Sequence, residues 1–136
     1  MKTVAVILIS VLVSTVQAQE SDHFTDMDVF GLEWVANPQI SPDGGYVAYV
    51  RTSLDVMQDR KRSEIWIIES GGSDHRRVAA GSSPIWSPAG DKMAYVSDGQ
   101  IHVRWMDTGE TATLTQLLKS PRAISWSPDG QHIAFN

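Results

Sequence analysis

One phrase returns three times along the chain. It reads "ISPDGGYVAYV" over Ile40–Val50, "IWSPAGDKMAYV" over Ile85–Val96 and "ISWSPDGQHIAFN" over Ile124–Asn136. The copies align on Ser41, Ser87 and Ser127, spaced 46 and 40 residues apart. Ser-Pro-Asp-Gly predicts a type I turn: Ser suits the first position, Pro presets φ at the second, and Gly is favoured at the fourth. The run Tyr46–Val50 is β-branched and aromatic, which predicts a strand. It does not alternate cleanly between apolar and polar residues. That predicts burial on both faces, with a sheet packed on either side.

A period of about 40–50 residues is that of a four-stranded propeller blade. The chain between copies supplies the remaining strands. "EIWIIES" (Glu64–Ser70), a Gly71-Gly72 turn and "HRRVAA" (His75–Ala80) follow the first copy. "QIHVRWM" (Gln100–Met106), the turn "DTGE" (Asp107–Glu110) and "TATLT" (Thr111–Thr115) follow the second. "PQI", "SPIW" and "AISW" each give a short strand leading into the turn. The expected fold class is therefore all-β: a partial β-propeller of two to three four-stranded blades starting near residues 38, 84 and 123. A short helix over Phe24–Ala36, capped by Thr25 or Asp26 with Asp28 in its first turn, is expected to precede it. Phe30 and Trp34 would share one face of that helix.

The first 18 residues read as a secretory signal peptide. Lys2 is a basic n-region, Val4–Val13 is a ten-residue apolar core, and Val16-Gln17-Ala18 presents small residues before a cleavage point. That core is short of the ~20 residues a membrane helix needs. Cleavage after Ala18 predicts an exported, periplasmic or secreted product with no membrane segment. At ~40–45 residues per blade the remaining chain holds two to three blades, whereas closed propellers have ~4–8. Ile133–Asn136 lies within the third copy's strand, so the chain is expected to be the front part of a longer protein. Its net charge is −5 with no long block of one sign, which gives nucleic-acid binding no support. It contains no Cys, which excludes disulfides, thiolate metal ligands and a Cys nucleophile.

"DVFGLEWVANPQISPDGGYVAYVR" (Asp28–Arg51) resembles the start of the mature prolyl-oligopeptidase-type serine peptidases, family S9, in the bacterial acylaminoacyl-peptidase and dipeptidyl-peptidase branch. The matching residues are Leu32-Glu33-Trp34-Val35 and Pro38-Gln39-Ile40-Ser41-Pro42-Asp43-Gly44. "QIHVRWMDTGETATLT" (Gln100–Thr115) resembles the same branch. The resemblance runs from Gln19 to Asn136 and implies WD40-like or TolB-like blades. It also implies a partner domain in the same polypeptide: a C-terminal α/β-hydrolase carrying a Ser-Asp-His triad, with the propeller gating peptide substrates and the lead-in helix packed on the hydrolase. This chain has no Gly-x-Ser-x-Gly elbow, so it should be inactive by itself. The Ser-Pro-Asp-Gly repeats are shared with the periplasmic propeller of TolB, so a protein-binding scaffold without chemistry is the alternative.

No catalytic, cofactor-binding or metal-binding residue is expected here. Asp74-His75 follows Gly71-Gly72-Ser73 and reads as a hairpin loop. His102 shares a strand face with Arg104, and neither it, His23 nor His132 has the neighbours of a triad or metal site. Ser41, Ser87 and Ser127 recur in every repeat, which indicates a turn residue. Asp43 and Asp129 support that turn, and Ala89 stands at the same place in the second copy. Trp86 and Trp126 precede the turns and are expected to pack between blades. Gln58–Glu64 ("QDRKRSE") reads as a solvated cationic loop. The dipeptidyl branch has an aromatic followed by Glu-Glu that holds a substrate amino terminus, and no Glu-Glu occurs in this chain.

Overall fold

In the computed structural model, residues 28–136 are described; the signal-peptide reading of residues 1–18 and residues 24–27 of the expected helix lie outside them. Ten strands form two complete antiparallel sheets and the beginning of a third. The first sheet runs in chain order through β1 (Glu33–Ile40), β2 (Tyr46–Asp55), β3 (Arg60–Glu69) and β4 (Arg76–Ala80). The second repeats this with β5 (Ser82–Trp86), β6 (Lys92–Ser97), β7 (Gln100–Trp105) and β8 (Thr111–Thr113). β9 (Ser125–Trp126) and β10 (Ile133–Ala134) start the third. The opening strands stand in a row, β1 beside β5 and β5 beside β9, with no ladder between them. This is the arrangement of propeller blades, and each complete blade uses one contiguous stretch of chain.

Of the expected helix over Phe24–Ala36, the described part, residues 28–36, does not form an α-helix. Asp28–Gly31 makes a single 3-10 turn, and Glu33–Ala36 joins β1. The first blade thus starts at residue 33 rather than 38. Glu33, Trp34, Val35 and Ala36 pair with Ser53, Thr52, Arg51 and Val50, so the length of β2 supplies ladder partners that outweigh local helical spacing. The ladder shifts register between Ala36 and Gln39, where Asn37 takes φ 52° and Pro38 follows. That irregularity admits a proline, which has no amide to donate. Phe30 and Trp34 accordingly share no helix face.

Most of the expected cationic loop Gln58–Glu64, from Arg60 on, is also strand. Arg60, Lys61 and Arg62 pair with Asp55, Leu54 and Ser53, leaving residues 56–59 as the turn of a long hairpin. Three cations on its outer part blunt an edge that β4 does not reach, since the β3–β4 ladder stops at Glu64↔Ala80.

The core lies between the two complete blades. Ala48 and Val50 from β2, Ile65 and Ile67 from β3 and Val78 from β4 meet Met93 and Tyr95 from β6. Along β6 four consecutive residues, Met93–Val96, are buried, as its unbroken apolar run predicts. β2 differs: Ala48, Val50 and Thr52 are buried, while Val47, Tyr49 and Arg51, alternating with them, are only half-buried. The expectation of two buried faces holds for β6 and fails on one face of β2, because among the described residues no sheet stands on that side.

Gly81 carries the chain from one blade to the next. Its φ is 143°, and a Cβ there would lie 2.5 Å from the Val96 carbonyl oxygen. Its amide also donates to the Ser63 carbonyl at 3.0 Å. Replacing Gly81 by Ala should cost more than about 1 kcal/mol of unfolding free energy, because both backbone and space oppose a side chain. Gly31→Ala, with nothing within 4 Å, is the matched control and should change the denaturation midpoint little. Equal midpoints for the two variants would contradict this account of the blade junction.

Candidate functional site

The three Ser-Pro turns share one hydrogen-bond pattern. The amides of Gly44, Gly90 and Gly130 each donate to the carbonyl of the serine three residues back, at 2.9 Å. These glycines have φ between 68° and 75°, a conformation that costs glycine little. The Ser41, Ser87 and Ser127 amides donate to the carbonyls of Tyr46, Lys92 and His132 at 2.8–2.9 Å, closing each turn. The hydroxyls of the same serines accept from the amides of those three residues at 2.9–3.0 Å.

Each hydroxyl also donates to a carboxylate. Ser41 meets Asp43 at 2.6 Å, Ser87 meets Asp91 at 2.7 Å, and Ser127 meets Asp129. Asp91 is the residue that the sequence reading overlooked. It lies two positions beyond Ala89 and reaches back to the same hydroxyl, so the second turn keeps its carboxylate from a different backbone position. The signal was present in "SPAGD", as an acid displaced by two residues. These hydroxyls are occupied both as donors and as acceptors within their own turns, so they are structural groups. The serine hydroxyl is the main cause that holds Asp43, Asp91 and Asp129 below the ordinary carboxylate range.

The tryptophans ahead of the turns do more than fill space. Trp86 Nε1 donates to the Gln39 carbonyl at 3.1 Å, and Trp126 Nε1 donates to the Ile85 carbonyl at 3.3 Å. Gln39 and Ile85 both lie two residues before their repeat's serine. Each indole therefore reaches back to the same carbonyl of the preceding repeat. Ile40 stands at the equivalent place in the first repeat, is exposed, and has no such proton to give. Between these positions lies an open groove of about 360 Å³, lined by Ile40, Pro42, Trp86, Pro88 and Trp126.

The histidines stay apart. Tyr49 hydroxyl meets His75 Nε2, and the His75 ring lies 5.1 Å from that of Trp66. Asp74 turns to Arg76 at 3.0 Å. His102 stacks on Tyr95 at 5.4 Å and engages the Ser97 carbonyl and the Thr113 hydroxyl, each at 3.2 Å. His132 is exposed. Among the described residues no group of three or more His, Asp or Glu is placed to hold a metal ion. Of the cationic stretch, Lys61 lies over the Trp34 ring at 5.6 Å and Arg62 is 3.5 Å from Glu64.

Two expected outcomes test this geometry. Ser87→Ala removes the acceptor of the Lys92 amide and one partner of the Asp91 carboxylate and should cost about 1–3 kcal/mol, and Trp86→Phe, which removes the donor together with part of the indole's packing surface, at least about 0.5–1.5 kcal/mol, both read from denaturant unfolding. Acid behaviour has a defined sign. A carboxyl whose folded pKa is depressed contributes stability that is present above its unfolded pKa and lost as pH falls through the folded value. Carboxyl titration followed by NMR should place the midpoints of Asp43 and Asp91 below those of an unfolded peptide, and the thermal midpoint should fall across the same acid range.

No protein-family model matches the chain. Among curated proteins, the uncharacterized peptidase YuxL of Bacillus subtilis is 34% identical over 116 residues, which is 78% of this chain and 18% of that protein. The Tol-Pal system protein TolB of Alcanivorax borkumensis is 42% identical over 58 residues, 39% of this chain and 13% of TolB. The chain thus spans about a fifth or less of the length of these relatives. Among solved structures, the acylaminoacyl peptidase of Pyrococcus horikoshii matches 76% of this chain and 17% of its own, with a TM-score of 0.70 at 23% identity. The β-propeller domain of the Trilobed protease of Pyrococcus furiosus, described as having an open velcro topology, matches 76% of this chain and 33% of its own, with a TM-score of 0.64 at 21% identity. At those identities the structures establish the fold. The chain is a partial β-propeller, similar in sequence to a peptidase and in fold to peptidase propellers, and consistent with a propeller segment of the S9 serine peptidases.

Proposed function

We propose that this chain is the N-terminal propeller portion of a secreted S9-type serine peptidase that hydrolyses short peptides. The observation that carries the reading is the 34% identity to a peptidase over 78% of this chain. The apolar residues Val4–Val13 ahead of Val16-Gln17-Ala18 support export. Chemistry belongs to a hydrolase domain elsewhere in the parent, through a serine nucleophile, a histidine base and an oxyanion hole. The propeller's part is to restrict access to that site, admitting extended peptides and excluding folded proteins. The three repeated serines take no part in catalysis, since each hydroxyl is already engaged in its turn.

A second reading is favoured by the 58-residue likeness to TolB: a non-catalytic, exported propeller that binds other proteins. The two readings separate in one experiment. The reading frame is followed through the codon of Asn136 and its whole product is expressed. A peptidase should show a Gly-x-Ser-x-Gly elbow followed by Asp and His, label with a fluorophosphonate, and cleave acylated amino acids or short peptides. The 136-residue chain alone should do neither. A whole product with more repeats, no elbow and no labelling would establish the scaffold and remove the peptidase.

A further inference from the structure

The two complete blades differ most at the hairpin between their second and third strands. In the second blade β6 and β7 are six residues long and end their ladder at Ser97↔Gln100. In the first, β2 and β3 are ten residues long and pair out to Asp55↔Arg60. Counted from the repeat serines, Ser97 lies ten positions on and Asp55 fourteen. The first hairpin therefore runs four residues per strand further, although the second blade closes without that extension.

β4 does not follow the extension. Its ladder with β3 stops at Glu64↔Ala80, and the Gly81 amide then donates to the Ser63 carbonyl at 3.0 Å. Backbone groups along a strand point to alternate sides. The amide and carbonyl of Lys61 thus point the same way as the Ser63 carbonyl, past the end of β4. From Arg60 to Arg62 the first sheet has an open edge among the described residues. That edge fronts a cleft of about 600 Å³, bounded by Arg60, Lys61 and Arg62 on the strand and by Gly81, Asp98 and Ser120 opposite. Its size is that of clefts that hold ligands, about 300–1,000 Å³.

The charges select what can pair there. Arg60 and Arg62 lie on one face of the sheet and are exposed. The Arg60 guanidinium makes no hydrogen bond or ion pair among the described residues, and Arg62 is 3.5 Å from Glu64 with its side chain still 62% exposed. Lys61 lies on the other face, over the Trp34 ring. The two acids that line the cleft stand off this edge: Asp55 accepts from the Gln58 amide in the hairpin turn, and Asp98 belongs to the β6–β7 turn. Consecutive cations repel a basic strand and give a neutral one nothing to pair with, whereas opposite charges across a ladder attract.

We infer that this cleft binds an extended acidic segment of another polypeptide, added as a strand to the open edge of β3. Main-chain bonds form with the amide and carbonyl of Lys61, and carboxylates at alternate positions of the guest face Arg60 and Arg62. The guest residue opposite Lys61 must donate its amide, so proline is excluded there. The site uses only the first blade and its junction with the second, so it stands under either reading of the parent.

Binding is read by fluorescence anisotropy on the product of the whole reading frame, treated with a fluorophosphonate so that no hydrolase consumes the probe. The probe is a fluorescein-labelled Thr-Glu-Thr-Glu-Thr-Glu-Thr peptide. One control peptide has Gln for each Glu; the other keeps every Glu and has Pro for the two inner Thr. Both controls should bind at least about ten times more weakly than the probe, as should the probe to the Arg60→Gln, Arg62→Gln double variant. The Arg60→Glu, Arg62→Glu variant should instead prefer the peptide with Lys in place of Glu, which shows that a loss in the first variant is not a loss of fold. No binding of the probe, or equal binding of the proline peptide, would overturn the inference, the latter by showing charge attraction without a strand. Equal binding by the double variant would place the peptide elsewhere and overturn it too. Binding that appears only once residues 19–27 are removed would assign the edge to the chain's own Glu20, Asp22 and Asp26 segment, and the inference would fall. None of these failures touches the peptidase reading, which rests on labelling and cleavage.

Discussion

The serine hydroxyl at the head of each repeat donates to a carboxylate and accepts from the amide five residues on, and the register of the following strand depends on that pair of bonds. Proline and glycine make the turn favourable, but they do not decide which residue starts the strand. The hydroxyl does, by tying Tyr46, Lys92 and His132 to one point. A slip of one residue would exchange the faces of the strand. Ala48 and Val50 would then leave the core, and Val47 and Tyr49 would enter it. The carboxylate is the more portable member of the arrangement. It comes from the second residue after serine in two turns and from the fourth in the other, because a short acidic side chain can reach the hydroxyl from either place.

With the strand fixed at one end, the blades join by division of labour. Burial between Ala48, Val50, Ile65 and Ile67 on one side and Met93 and Tyr95 on the other supplies the non-directional attraction. The indole bonds from Trp86 and Trp126 add direction, since each must find one carbonyl of the preceding blade. Gly81 lets the chain pass between sheets at a distance no side chain would permit. None of these groups is arranged for chemistry. The histidines that could have suggested a site stack on tyrosines or bond to strand neighbours, and the acid beside His75 is turned to an arginine. Two surfaces stand out: the groove beside Ile40 and the first-blade face that carries Val35 and Tyr49.

The sequence by itself determined the repeat, the turns, the strands after them and the absence of a catalytic elbow, because these depend on residues adjacent in the chain. Pro presets a torsion, Gly accepts a positive φ, and an apolar β-branched run must be buried wherever it falls. Tertiary structure alone decided the rest. Glu33–Ala36 carries local spacing compatible with a helix, and becomes strand because β2 is long enough to pair with it. The cations at Arg60–Arg62 look like a loop and lie in a ladder for the same reason. Asp91 takes the place of Asp43 because distance in space, and not position in the repeat, defines a hydrogen bond. The partner of each tryptophan lies more than forty residues away, and only the stacking of one blade on the next brings donor and carbonyl together.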